Sequence, residues 1–90
     1  MAVLLVTYEL RDQLKDYSPL FKAIQNNSTS WWHYLERVWL VDTTHNPDTF
    51  AKLLYPYITT GDALLVFKLA RENQGWLPNE AWKWINERKY

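Results

Sequence analysis

The sequence predicts an α+β domain in which strands and helices follow one another in the order β-α-β-β-α-β. Three apolar, β-branched or aromatic segments, at 2–10, 31–42 and 63–69, are typical of strands. Two polar-Pro pairs, Ser18-Pro19 and Asn46-Pro47, mark helix starts between them. With 90 residues, 48% of them hydrophobic and only two Gly and four Pro, the chain has the composition of one packed domain.

The first strand, residues 2–10, has no polar alternation over residues 3–6. A strand of this kind is expected to be buried on both faces, as at the centre of a sheet. The first helix is predicted to begin at Ser18, which can cap it, with Pro19 in the first helical position, and to end near Asn26.

A hairpin is predicted next, with arms 31–35 and 38–42 around a turn at Glu36-Arg37. The second helix then starts at Asn46 and Pro47, and Asp48 places a negative charge near its positive end. Its apolar residues share one helical face: Phe50, Leu53, Leu54, Tyr57 and Ile58. Pro56 lies within this run, so the regular helix is expected to bend or fray near Tyr55.

The last strand is predicted at 63–69, and a Trp-rich tail with a short helix at about 79–88 follows it. The chain is therefore divided into a domain at 1–70 and a tail at 71–90. With right-handed crossovers, this order of elements gives a ferredoxin-like fold. In it a four-stranded antiparallel sheet of order 4-1-3-2 carries two helices on one face.

Composition excludes several classes of function. There is no cysteine, so disulfides, zinc–thiolate sites, iron–sulfur clusters and thiol catalysis are excluded. The N-terminal segment has no basic region, and Thr7 and Glu9 interrupt its apolar run. It is therefore predicted to be neither a signal peptide nor a membrane span, and we expect a cytoplasmic protein that does not enter membranes.

Aromatic residues are abundant, with six Trp, six Tyr and three Phe in 90 residues. So small a domain cannot enclose them all, and exposed aromatic patches usually contact a partner. The strands are also apolar on both faces, whereas two helices cover only one. A homodimer, the tail, or both are expected to cover the other face, and the predicted interface residues are Trp31, Trp39, Trp76, Trp82 and Trp84.

Two side chains are candidates for chemistry. Glu9 ends a strand predicted to be buried, where an unpaired carboxylate is costly. It is either partly solvated or paired with a basic residue, or it is a metal ligand or general base at a dimer cleft. His33, in the run Trp31 to Tyr34, is either hydrogen-bonded at a sheet edge, or it is a proton carrier or phosphate contact. The sequence leaves both alternatives open for each residue.

Nucleic-acid binding is also considered, because aromatic side chains on ferredoxin-like sheets can stack bases. However, the third strand lacks the Lys/Arg, Gly and aromatic pattern of RNA recognition modules, and the net charge is zero. A basic footprint is normal for nucleic-acid binding. We therefore expect the Trp residues mainly to pack the open face and the tail.

A resemblance adds a more specific hypothesis. It is carried by these segments: Tyr8-Glu9-Leu10, Trp32-His33-Tyr34-Leu35, Trp39-Leu40-Val41, Asp62 with Leu64-Leu65-Val66, and Trp76-Leu77-Pro78. Over nearly the whole chain the sequence resembles small bacterial proteins labelled "SinR family". More remotely, through its first strand and element order, it resembles the CRISPR-associated Cas-two proteins and the virulence-associated protein D ribonucleases.

The resemblance implies two competing functions. In Cas-two proteins the acid after the first-strand Tyr lies at a dimer cleft and is implicated in metal-dependent cleavage of nucleic acid, and Glu9 holds that position here, where the family has Asp. One hypothesis is thus an endoribonuclease of a toxin or defence system, with Glu9 binding Mg²⁺ or Mn²⁺ and RNA as its partner. The alternative is a non-catalytic dimeric module, antitoxin-like or accessory, that acts through protein contacts.

Overall fold

The computed structural model of the chain describes residues 1–90. Its four strands form one antiparallel sheet in the order β2-β3-β1-β4, which is the predicted order counted from the other edge. The α+β architecture and the strand order are confirmed. The elements are: β1 (Ala2–Glu9), α1 (Ser18–Asn26), β2 (Ser30–Leu35), β3 (Val38–Thr43), α2 (Pro47–Leu54), a 3₁₀ turn (Tyr55–Tyr57), β4 (Ala63–Lys68) and α3 (Asn79–Glu87).

Strand β1 occupies the centre of the sheet, as its unbroken apolar sequence predicts. Leu4 is opposite Val41 of β3 on one side and Lys68 of β4 on the other. Val3, Leu4 and Val6 have no solvent exposure. Burial on both faces is therefore the reason that this strand lacks polar alternation.

The start of α1 differs in detail from the prediction. Ser18 is the first helical residue, and its side chain does not cap the helix. Instead the Asp16 carboxylate accepts bonds from the Ser18 amide at 2.9 Å and the Ser18 hydroxyl at 2.6 Å. The residue before the helix is Tyr17, which makes no side-chain cap bond, so the predicted cap at Ser18 is wrong. The helix begins one residue earlier than predicted, with Pro19 in its second position, and Asp16 satisfies the free amide of Ser18.

Helix α2 follows its prediction. The Asn46 side-chain oxygen accepts the Thr49 amide at 2.8 Å, which satisfies one of the free N–H groups at the helix start. The regular helix ends at Leu54, and Pro56 lies within the 3₁₀ turn that follows. Pro56 cannot donate a helical hydrogen bond, which accounts for the change.

Helices α1 and α2 cover one face of the sheet, which we call the helix face. Ten buried residues form its core: Leu4, Val6, Tyr8, Leu20, Ala23, Ile24, Trp39, Val41, Phe50 and Leu54. Burial raises the pKa of the Tyr8 hydroxyl, which accepts the indole N–H of Trp39 at 3.0 Å. Trp39 is only 2% exposed, so its prediction as an interface residue is wrong. The alternation of β3 points it into the domain's own core.

Helix α3 of the tail packs on part of the opposite face. Ala81 and Ile85 are buried with Trp32 and Leu40, over strands β2 and β3. The indole N–H of Trp84 also donates to the Ser30 hydroxyl at 2.8 Å. The tail is thus one cover of the second sheet face.

An ion pair holds the end of the tail against the sheet. The Arg88 guanidinium lies 3.3 Å from the Asp42 carboxylate, and both side chains are mostly buried. The same guanidinium stacks over the Trp84 ring, and Arg71 donates to the Arg88 carbonyl. These polar contacts orient α3 on β3, whereas Ile85 supplies apolar burial. None of the three α-helices has the length and hydrophobicity that a membrane-spanning helix needs.

Candidate functional site on the uncovered half of the sheet

Helix α3 leaves the β1–β4 half of its sheet face open to solvent. The strand register places Thr7 opposite Leu65 and Glu9 opposite Ala63 on this half. Phe67 lies in the next row, opposite Leu5, which packs against the cluster beneath α3. We call Thr7, Glu9, Ala63, Leu65 and Phe67 the open half-face. Leu65 is 49% and Phe67 56% exposed, so the largest apolar side chains of β4 on this side face water.

A shallow depression lies at one end of the open half-face. Its volume is about 290 Å³, and most of its lining is apolar. The residues that line it are Thr7, Tyr8, Glu9, Ala63, Leu64 and Leu65. Glu9 carries the single carboxylate among them, so any metal binding or general-base role of one chain at this depression depends on Glu9.

Glu9 lies beside a guanidinium rather than alone. Its carboxylate is 3.5 Å from Arg37, and the two side chains are 54% and 64% exposed. The Thr7 hydroxyl donates to the Arg37 carbonyl at 2.8 Å, which fixes the backbone of the hairpin turn beside β1. Water screens this pair, so it contributes little to stability and leaves the carboxylate accessible. The partly solvated and paired alternative for Glu9 agrees with this geometry.

The fit of Glu9 to a divalent cation is incomplete within one chain. No group of three or more His, Cys, Asp or Glu side chains in the structure could hold a metal ion. Mg²⁺ commonly takes one or two protein carboxylates and fills its other positions with water or substrate phosphates. A Glu9-based site would therefore need a second carboxylate from another copy, or substrate oxygens.

His33 lies apart from the depression, on the edge strand β2. Its exposed ring stacks on Trp39 with the ring centres 3.8 Å apart, and Nε2 is 2.9 Å from the Glu36 carbonyl oxygen. This is the hydrogen-bonded sheet-edge arrangement that was one of the two alternatives. The structure does not bring His33 and Glu9 into one site.

The four remaining predicted interface tryptophans differ in exposure. Trp76 is 98% exposed and Trp31 is half exposed. Trp82 and Trp84 are partly buried against the cluster beneath α3. A role in an interface thus stays a prediction for all four, with Trp76 the most accessible.

A second carboxylate, Asp62, joins the loops next to β4. It accepts the amides of Arg11 at 2.9 Å and Thr59 at 3.0 Å, and the Tyr17 hydroxyl at 2.8 Å. The Arg11 amide, followed by the Thr59 amide and the two hydroxyl groups, holds the pKa of the Asp62 carboxyl well below its ordinary value. Desolvation and the neighbouring carboxylate raise the pKa of the Tyr17 hydroxyl.

Replacement of Asp62 is expected to weaken the fold and flatten its acid response. Because the folded-state pKa lies below the unfolded value, the contribution of Asp62 is present above about pH 4 and is lost as the pH falls further. Asp62→Asn should therefore lower the thermal midpoint at pH 7 and reduce its fall between about pH 4 and 2. The control Glu72→Gln, which changes an exposed carboxylate that no hydrogen bond or ion pair holds, should leave the thermal midpoint at pH 7 unchanged. A wild-type acid profile in Asp62→Asn would contradict this role.

Sequence reasoning did not single out Leu65, Phe67 or the bonding role of Asp62. A signal for Asp62 was present, since it follows Gly61 and lies three residues after Thr59, a spacing typical of a side-chain-stabilised turn. Gly61 has a φ of +98° there, a conformation that favours glycine. For Leu65 and Phe67 the alternation of β4 was visible, but not which side would stay uncovered.

Comparison with protein-family models, with curated proteins and with solved structures finds no significant match for this chain.

Proposed function

We propose that the chain is a ferredoxin-like protein-interaction module that works as a homodimer without catalysing a reaction, of an antitoxin-like or accessory kind. The β-α-β-β-α-β order and two helices on one sheet face support the ferredoxin-like assignment. The observation that carries the functional proposal is the exposure of Leu65 and Phe67 on the open half-face. The proposed kinship with SinR-family proteins rests on the sequence segments given above.

The open half-face differs from ordinary exposed apolar residues. Leu14, at 99% exposure, is a single side chain in a loop, and such isolated residues are common on protein surfaces. Leu65 and Phe67 are neighbours on one face of a regular strand, beside the exposed Ala63. A rigid apolar surface loses little conformational freedom when it is covered, which favours a protein partner.

The dimer is expected to depend on these two side chains. At micromolar concentration, light scattering should give twice the chain mass of 10.8 kDa for the wild type. The double variant Leu65→Ser/Phe67→Ser should be monomeric, with its circular dichroism retained, because both side chains lie outside the buried core. Leu14→Ser is the matched control and should stay dimeric. A monomeric wild type would reject the proposal.

A second candidate function is metal-dependent cleavage of RNA. The observation that favours it is an accessible carboxylate, Glu9, at the rim of the depression. A dimer of a different kind, in which the open half-faces of two copies stack face to face, would bring one Glu9 from each copy to the interface. Two carboxylates with substrate phosphates form a chemically sufficient set for Mg²⁺ or Mn²⁺. The likeness of the first strand to that of Cas-two proteins is the second support.

This candidate makes a sharp prediction. Single-stranded RNA should be cut in the presence of Mg²⁺ or Mn²⁺ and left intact in excess chelator, and Glu9→Gln should abolish cutting while the thermal midpoint is kept. The substitution removes the charge but retains the size, which separates ligation from packing. Glu80→Gln, on the exposed side of α3, is the matched control. Cleavage that persists in Glu9→Gln, or in chelator, would reject a role for this carboxylate.

A further inference from the structure

We propose that two copies join by antiparallel pairing of their β4 strands, with Leu65 opposite Leu65, into one continuous sheet. This inference rests on the proposed homodimer and specifies its geometry. Strand β4 is an edge of the sheet, since β1 is its single neighbour. The apolar side chains of the open half-face then continue across the junction between the copies.

The free edge of β4 is defined by the register with β1. The Leu69 amide donates to the Val3 carbonyl at 2.8 Å, and hydrogen bonds toward β1 recur at every second residue of an antiparallel pair. Residues 63, 65 and 67 therefore direct their N–H and C=O groups toward β1. Leu64, Val66 and Lys68 direct theirs outward. None of the turn, loop or side-chain hydrogen bonds uses these three outward backbone pairs.

Symmetry leaves two full-length registers. Two β4 strands can hydrogen-bond only if residues whose N–H and C=O groups point away from β1 lie opposite residues of the same kind. A two-fold axis that meets this condition and pairs nearly the whole strand passes through Leu65 or through Val66. With the axis at Leu65, Ala63 faces Phe67 of the second copy, a small side chain against a large one. With the axis at Val66, Phe67 instead faces Leu65, and both are bulky.

Charge complementarity selects the axis at Leu65. In that register Lys68 faces Asp62 of the second copy, and this pairing occurs twice. The hydrogen bonds to Asp62 come from backbone amides and hydroxyl groups, so no cationic side chain of its own chain neutralises it. With the axis at Val66, Lys68 would face the apolar Leu64. Opposite charges across strands help to fix register, and backbone hydrogen bonds together with the apolar cross-strand pairs hold the two copies together.

The other sheet edge explains why pairing stops at two copies. Strand β2 has a register irregularity between Trp32 and Leu35, and such a bulge twists an edge away from further pairing. Strand β4 has no irregularity against β1. Pairing of β4 with β4 closes on itself, whereas pairing of β4 with β2 would continue into fibres.

Cysteine cross-linking tests the register directly, because the chain contains no cysteine of its own. Leu65 is expected to lie opposite Leu65 of the second copy in a non-hydrogen-bonded pair, in which the two Cβ atoms are close enough for a disulfide. Under mild oxidation, Leu65→Cys should convert to covalent dimer as its main species. Val66→Cys, which would cross-link in the alternative register, and Lys52→Cys, on exposed helix surface, should remain largely monomeric on a non-reducing gel.

A proline substitution tests the backbone pairing. Lys68→Pro removes an outward N–H that β1 does not use, so the single chain should fold while the added strand is blocked. It should be monomeric in light scattering with unchanged circular dichroism. Lys68→Thr keeps the N–H, and it should remain dimeric with a dissociation constant that depends less on salt.

The outcomes separate this inference from the proposed function. A dimeric wild type that neither cross-links through Leu65→Cys nor dissociates in Lys68→Pro would overturn β4 pairing and leave the homodimer standing. Cross-linking through Val66→Cys in place of Leu65→Cys would overturn the register. A monomeric wild type would overturn both the homodimer and the β4 pairing. This holds even if the β4 edge instead accepts a strand from a different protein.

Discussion

A chain that ends at Ala70 is expected to aggregate. Removal of 71–90 takes away α3, and with it the buried Ala81 and Ile85 that cover Trp32 and Leu40. Trp32 and Leu40 are almost fully buried in the full chain, and the truncation would expose both of them beside the open half-face. A contiguous apolar surface of this kind associates in water. We therefore expect loss of soluble protein and growth of scattering particles during refolding.

Point variants of the full chain test the packing of the tail without removing the tail. Ile85→Asp buries an unpaired charge against Trp32 and should destabilise the full chain by about 3–5 kcal/mol in urea unfolding. Asn86→Asp, on the exposed side of the same helix, is the matched control and should stay within about 0.5 kcal/mol of the wild type. A truncated chain that remained soluble, with the wild-type oligomeric state and midpoint, would show that the tail is a passive extension.

Trp39→Ala is expected to cause a comparably large loss in the helix-face core. The Trp39 ring stacks on His33, and its ring centre is 6.1 Å from that of Phe21 and 5.2 Å from that of Trp31. Removing so large a buried ring typically costs about 3–5 kcal/mol, a large share of the about 5–15 kcal/mol that stabilises a domain. Urea unfolding followed by far-ultraviolet circular dichroism measures it.

Two further variants divide the contribution of Trp39. Trp39→Phe keeps an aromatic ring but removes the hydrogen bond to the Tyr8 hydroxyl, so its loss should be smaller than that of Trp39→Ala. Trp31→Ala removes a half-exposed ring on the same face and is the matched control. If Trp31→Ala destabilised the chain as much as Trp39→Ala, the buried position of Trp39 would not be the cause.

Local signals were sufficient to predict most of the fold. Asn46 and Pro47 define the start of α2, Pro56 ends its regular part, and the unbroken apolar sequence of β1 places it at the centre of the sheet. Each of these features depends on neighbouring residues alone. The cap of α1 was predicted wrongly because the helix begins at Ser18 itself, one residue earlier than the Ser18-Pro19 pair indicates, so Ser18 has helical geometry and cannot cap.

The site was harder to predict because it depends on which sheet face each strand residue occupies. The residues on both faces of β3 and β4 are apolar, so no alternation indicates that Trp39 points to the helices whereas Phe67 faces solvent. The half of the sheet that α3 covers depends on tertiary packing. Likewise, the partner of Glu9 is Arg37, which lies in a turn far along the chain and reaches β1 only after the hairpin has formed.

The central position of β1 also bears on how the chain folds as the ribosome makes it. Strand β1 leaves the ribosome before either of its neighbours, and it pairs with β3 and then with β4, which are made later. This apolar segment must therefore wait until both strands have been made, and such non-local pairing slows folding. Chaperones that bind extended apolar segments would meet β1 before the strands that pair with it are available.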